Sequence, residues 1–171
     1  AEEHGFKGVM AADHFQPWLG AQDQTTGVFE CWTELAYLAG KFPDIFFGTI
    51  VMAQSYRPPA LLAKMATSLQ ALSAGRFILG IGAGWNEEEY LAYGWPFPPA
   101  RVRMAQLAEA IEIIKAMWTE FPANYQGQYY QIANAYCEPR PDPRPPIMVG
   151  GAGEKYLLRV VAQHADWWNY I

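Results

Sequence analysis

A chain of 171 residues, half of them apolar (51%) and 15% aromatic, is enough for one domain with a substantial core and has the composition of a soluble globular protein. The net charge of −5 leaves no basic footprint for nucleic acid or for an anionic membrane surface. The longest apolar stretches, such as Ile45–Phe47 and Ile50–Ala53, are too short to span a bilayer. The N-terminus reads Ala1-Glu2-Glu3-His4, without the basic start and apolar run of a signal peptide. Cys31 and Cys137 show no metal-ligand spacing, so a reduced cytoplasmic setting is the plain expectation, with no metal.

In chain order, residues 1–4 look like the tail of a helix running into Gly5, and Gly8–Ala12 is a short apolar strand. Phe29–Gly40 is helix-like, with Trp32, Leu35, Ala36 and Ala39 on one face. Ile45–Met52 is a β-rich run, apolar on both faces. Pro58 and Pro59 open a helix in which Leu61, Leu62, Met65, Leu69 and Leu72 recur at helical spacing and which Gly75 stops. Arg76–Ile81 is the next strand, and Arg101–Trp118 is the longest helix. Pro146–Val149 is a strand, Glu154–His164 a helix, and Asp166–Tyr170 begins a fifth strand.

Residues 121–146 break this rhythm. Asn124–Tyr130 reads as a small hairpin turning at Gly127, and Pro139–Pro146, with five prolines, as an extended loop. The segment is expected to be an insertion between a helix and the next strand, within one domain spanning residues 1–171.

Strands apolar on both faces, each followed by a helix, imply a parallel sheet covered by helices. An open doubly wound sheet and a closed barrel both fit. A closed barrel takes eight strands and typically about 250 residues, so this chain would supply part of one, truncated at both ends.

In either architecture ligands sit beyond the C-terminal ends of the strands. After the first strand stand Asp13 and His14, then Phe15-Gln16-Pro17-Trp18. A carboxylate beside an imidazole can bind a cofactor edge and move a proton; a His that merely caps the loop is the alternative. After the second strand, Met52–Arg57 is small or polar, as a pocket wall or an ordinary βα loop would be.

The third strand ends in Gly80-Ile81-Gly82-Ala83-Gly84-Trp85. The pattern matches a dinucleotide fingerprint poorly, because no acidic residue closes a second strand about 20 residues on; a nicotinamide-dinucleotide enzyme is therefore disfavoured. The glycines fit a flat ring lying against the backbone. Glu87, Glu88 and Glu89 are expected to be helix-starting charges on a solvated face. Gly150-Gly151-Ala152-Gly153, leading into a helix, is the best phosphate site in the chain, with a purely geometric βα turn as the alternative. Trp18, Tyr56, Trp85, Tyr93 and Trp95 lie in strand-end loops and are candidates to wall a pocket for a small-molecule substrate.

Taken together, DHFQPW at Asp13–Trp18, FGTIV at Phe47–Val51 followed by RPPALLAK, SAGRFILGIGAGW at Ser73–Trp85 and PPIMVGGAGEK at Pro145–Lys155 resemble the luciferase-like monooxygenase superfamily. DHFQPW resembles most the branch that uses the deazaflavin coenzyme F420. The resemblance implies an α/β fold, the (β/α)8 TIM barrel of luciferase-like type, present here as about five strands with helices. It implies Asp13 near the deazaflavin, His14 as the acid/base, and a non-proline cis peptide at about Ile50–Val51 supporting the ring's back face. It further implies Ala53, Ala83 and Gly84 lining the ring, and Gly150, Gly151 and Gly153 holding the phosphate.

This sequence departs from the sugar-phosphate dehydrogenases of that branch at two positions. Their catalytic glutamate after the third-strand glycines is Trp85 here, which cannot transfer the proton, and a hydroxyl residue contacting the cofactor is Ala53 here. FMN therefore stands as the alternative cofactor, in a monooxygenase, and a non-catalytic flavin-binding homologue is a further alternative. Family members are commonly dimers, so a homodimer of the full-length protein is expected, and an incomplete barrel is expected to associate through exposed strand edges.

Overall fold

The computed structural model describes residues 2–17 and 27–170. Five parallel strands run side by side: Gly8–Ala11 (β1), Phe46–Thr49 (β2), Phe77–Gly82 (β4), Ile147–Gly150 (β7) and Trp167–Asn169 (β8). Met52–Ala53 (β3) continues the line of β2 and also pairs with β4. The helices are Cys31–Lys41 (α1), Pro59–Leu72 (α2), Glu87–Ala92 (α3), Ala100–Thr119 (α4) and Leu157–His164 (α5). An antiparallel hairpin, Ala123–Gln126 (β5) with Gln131–Ala135 (β6), stands between α4 and β7.

Strand side chains alternate between faces; β4 and β7 are buried on both, and alternate residues join the core under the helices. Val9, Phe47, Phe77, Leu79, Ile81, Ile147 and Val149 join the core formed with Leu35, Leu62, Ile111, Ile114 and Leu157 of the helices. Met10, Ile78 and Met148 are the alternate residues, and on that face Gly48 and Gly80 leave room for the methionines: a Cβ at Gly48 would stand 2.6 Å from Met10 Cε, and one at Gly80 3.1 Å from Met148 Cε. Trp118 of α4 donates its indole N–H to Ala63 O of α2 at 3.2 Å, locking the two longest helices together.

The expected second strand, Ile45–Met52, is interrupted. Gly48 pairs with Ile78 and Met52 with Ile81, so three residues of one strand oppose two of the other. This is a β-bulge, and it contains the cis peptide Ile50–Val51. Buried Thr49 repairs the ladder there: its hydroxyl donates to Gly80 O at 2.6 Å and accepts from Gly80 N at 2.9 Å.

Two further boundaries differ from the sequence expectation. Regular helix after Gly153 starts at Leu157, not Glu154. No side chain caps its N-terminus; the Leu157 and Leu158 amides donate instead to Gly153 O at 3.0 and 3.3 Å, across the turn of residues 154–156. The hairpin is longer than Asn124–Tyr130 because its pairing runs on to Ala123 opposite Ala135; Glu109 of α4 accepts the backbone N–H groups of Gln128, Tyr129 and Tyr130 at 2.8–3.0 Å and anchors its turn.

Candidate functional site

A cleft of about 180 Å³ lies at the C-terminal ends of the strands, between the β1 end and the β7 loop. Asp13, His14, Tyr56, Trp85 and Asn86 line one side; Val51, Ala53, Gly82, Ala83 and Gly84 form the floor; Gly150 and Gly151 close the other side. The volume is below the roughly 300–1,000 Å³ of complete ligand pockets. Large side chains are missing from the floor. A Cβ at Gly150 would stand 2.5 Å from Val51 Cγ2 and one at Gly82 2.9 Å from the same atom. The bulge therefore seats Val51 between β4 and β7 only because both positions are glycine. Gly84 has φ +78°, and a Cβ there would collide with the Tyr90 hydroxyl, which is fixed by the Ser55 hydroxyl at 2.5 Å.

The polar side is built from contacts distant in sequence. Asp13 is buried and meets Arg57 in a bidentate pair, 2.8 Å to Nη1 and 3.0 Å to Nη2. Arg57 Nη2 also reaches Glu30 at 2.5 Å. Glu30 in turn caps α1, accepting from the N–H groups of Trp32 and Thr33. Burial pushes the Asp13 carboxyl up from its ordinary value, against the pull of the Arg57 guanidinium. Glu30 is held low by the hydrogen bonds of Thr33, Trp32 and Arg57, which outweigh its partial burial.

His14 Nδ1 lies 2.8 Å from Glu89 Oε2. The same carboxylate accepts the Phe15 N–H at 2.6 Å and the Tyr56 hydroxyl at 2.8 Å. Glu89 is 0% exposed, which corrects the expectation that all three acids of the run face solvent. Each residue of a helix turns by about 100°, so three in a row sweep more than half the circumference; Glu87 and Glu88 are exposed while Glu89 faces the protein. Burial and the Glu89 carboxylate push the Tyr56 phenol up, keeping it a donor.

The structure brings Asp13, His14, Val51, Ala53, Trp85, Ala83, Gly84, Gly150 and Gly151 to one cleft. Ile50 lies beside it, with its N–H on Ala11 O at 2.9 Å, and Gly153 lies further along the β7 loop. The Gly151 N–H donates to Asn169 O at 3.0 Å, so an anion at this loop would meet the amides after it. Trp85 is 60% exposed and sets its ring edgewise to His14 at 5.7 Å. Tyr93 and Trp95 stack on each other, and both pack at a tilt against Phe15. Trp18 lies outside the described residues. Sequence reasoning did not single out Arg57 or Glu89. Arg57 followed a strand end and carried the right positional signal; for Glu89 the helical sweep of a three-acid run was the available clue.

Among the described residues, no helix is long and apolar enough to cross a membrane, and no cluster of three or more His, Cys, Asp or Glu side chains is placed to hold a metal ion.

An F420-dependent glucose-6-phosphate dehydrogenase of Kineococcus radiotolerans is 37% identical over 154 residues, 90% of this chain and 44% of the relative. The chain spans about half the length of the curated relatives it matches. A solved F420-dependent secondary alcohol dehydrogenase, in complex with an F420-acetone adduct, superposes with a TM-score of 0.88 at 24% identity, covering 99% of this chain and 50% of that one. EDTA monooxygenase from Chelativorans sp. BNC1 superposes with a TM-score of 0.82 at 18% identity, covering 95% and 42% of the two chains. The fold is thus that of luciferase-like β/α barrels over about half their length. With the luciferase-like monooxygenase profile matching residues 1–170, the chain belongs to the luciferase-like monooxygenase family.

Proposed function

We propose that the protein is an oxidoreductase that uses coenzyme F420 and acts on a small organic substrate. The observation that carries this reading is the cleft floor. Val51, Ala53, Gly82, Ala83 and Gly84 make an apolar platform on which no side chain is larger than valine, bordered on one side by Asp13 and His14, and a flat heteroaromatic ring fits such a platform. The name carried by the 37% identical relative supports a deazaflavin over other ring systems.

In this reading Val51 and Ala53 support the ring, Asp13 faces its polar edge, and the amides that follow Gly151, those of Ala152 and Gly153, hold its phosphate. Bound there, the deazaflavin supplies hydride transfer. The protein positions the reactants and excludes water, and His14 gives or takes the proton at the substrate's reacting oxygen. Trp85, a donor-only side chain at its indole N–H, offers no second acid or base, which favours a neutral alcohol or carbonyl compound over a sugar phosphate. An FMN-dependent monooxygenase is the second reading, because the same apolar platform accepts an isoalloxazine equally well.

The test is a paired fluorescence titration of the intact protein with F420 and with FMN. Tight binding of F420 alone is the expected result. Tight binding of FMN alone, with oxygen uptake, replaces this reading with the monooxygenase one. Binding of neither overturns the assignment of the Gly150–Gly153 loop.

A further inference from the structure

We infer that Glu89 is a positioning residue that fixes the tautomer of His14, so that Nδ1 keeps its hydrogen and Nε2 is the nitrogen that exchanges a proton. The inference rests on the reading of His14 as the acid/base. A carboxylate offers only acceptors, and Glu89 is surrounded by donors. Oε2 receives the Tyr56 hydroxyl at 2.8 Å and faces His14 Nδ1 at 2.8 Å, and Oε1 receives the Phe15 N–H at 2.6 Å. The ring nitrogen facing this oxygen is therefore the one that donates. Which nitrogen of a histidine carries the proton is set by the hydrogen bond the other ring atom makes.

The contact has the features of a preorganised one. The Glu89 side chain is 0% exposed and the His14 side chain 14%, so little water competes for the bond. The Phe15 N–H belongs to the residue directly after His14, so one carboxylate grips both the ring and the backbone that carries it. Tyr56 packs at 4.8 Å from Tyr90 and 5.2 Å from Phe15, which keeps the third donor in place. Trp85 sets its ring edgewise against the imidazole at 5.7 Å, limiting the ring's rotation.

Glu89→Gln separates a positioning role from a merely structural one. Glutamine keeps the volume, and its carbonyl still accepts from Phe15. Its amide N–H₂, turned to His14, donates and selects the opposite tautomer. The first readout needs no cofactor: 15N NMR of histidine-labelled intact protein, at a pH where the ring is neutral, distinguishes Nδ1–H from Nε2–H. Wild type is expected to show Nδ1–H, and Glu89→Gln to show Nε2–H. The second readout is turnover with F420, in which kcat falls about 100-fold or more while KM and cofactor affinity stay within about twofold. Glu89→Asp, which keeps the carboxylate, restores the Nδ1–H tautomer and part of kcat.

An Nε2–H tautomer in the wild type overturns the inference whether or not the variants fold. So does a Glu89→Gln protein with unchanged kcat. If instead His14→Ala leaves turnover intact, the assignment of His14 fails, which is a different outcome from a failure at Glu89.

Discussion

The two sides of the cleft are built by opposite means. On the β1 side, side chains are held by partners far away in sequence: Asp13 by Arg57, Arg57 by Glu30, and His14 by Glu89. On the β7 side, Gly150 and Gly151 contribute backbone only, and Val51 fills the space their side chains would take. The difference teaches where each kind of mutation acts. The first side is damaged by removing atoms and leaving a charge unpaired; the second is damaged by adding them.

The largest effect is expected on the first side. Replacing His14 with Ala lowers turnover about 10²–10⁴-fold, with cofactor affinity unchanged within a few-fold, as read by steady-state kinetics and titration. Turnover equal to wild type removes His14 from the mechanism. Next comes Arg57→Met, which leaves Asp13 buried without its bidentate partner. Breaking a buried pair in this way destabilises by about 3–5 kcal/mol, measured by urea denaturation. An unmoved midpoint would mean that burial, which pushes the Asp13 carboxyl up, already keeps that group neutral.

The second side gives a smaller effect of opposite origin. Gly150→Ala places a Cβ 2.5 Å from Val51 Cγ2, an overpacking of about 1–3 kcal/mol, and under the proposed function it is expected to weaken F420 binding by displacing the bulge. Gly153→Ala sharpens the contrast, since its Cβ would meet Leu157 Cβ at an ordinary 3.6 Å. Its stability should stay within about 0.5 kcal/mol of wild type, and equal losses in the two alanine variants would refute the packing argument.

The smallest effect lies away from the cleft. Asp166 accepts both Arg144 Nη1 and Nη2 at 2.7 Å and the Ile147 N–H at 2.8 Å, tying β8 to β7. Asp166→Asn should cost about 1 kcal/mol. Arg144 holds the Asp166 carboxyl below its ordinary value of 3.8, so this stabilisation is complete above pH 3.8 and fades as pH falls through the lower folded value. The stability curves of the wild type and of the Asp166→Asn variant should therefore converge in acid and run parallel at neutral pH.

What the sequence made legible follows the same division. Strand-end reasoning located Asp13, His14 and the glycine positions, because strand ends and glycines are local signals. The resemblance located the cis peptide at Ile50–Val51. The pairing of His14 with Glu89, 75 residues apart, and of Asp13 with Arg57, 44 residues apart, leaves no periodic trace, since each depends on how β1, the β3 end and α3 meet. The bulge splits the run Ile45–Met52 although every residue in it suits a strand; its cause is the register against β4, which hydropathy does not record. Glu89 was hidden for a further reason: a run of acids reads as solvated surface until the helix places one of them inside.

The most direct test of the central claim is a crystal structure of the intact protein with coenzyme F420. The deazaflavin ring is expected against Val51, Ala53 and Gly82–Gly84, its polar edge toward Asp13, and its phosphate at the amides following Gly151. A ring bound away from the Val51 bulge, or a phosphate held elsewhere with the Gly150–Gly153 loop untouched, would contradict it.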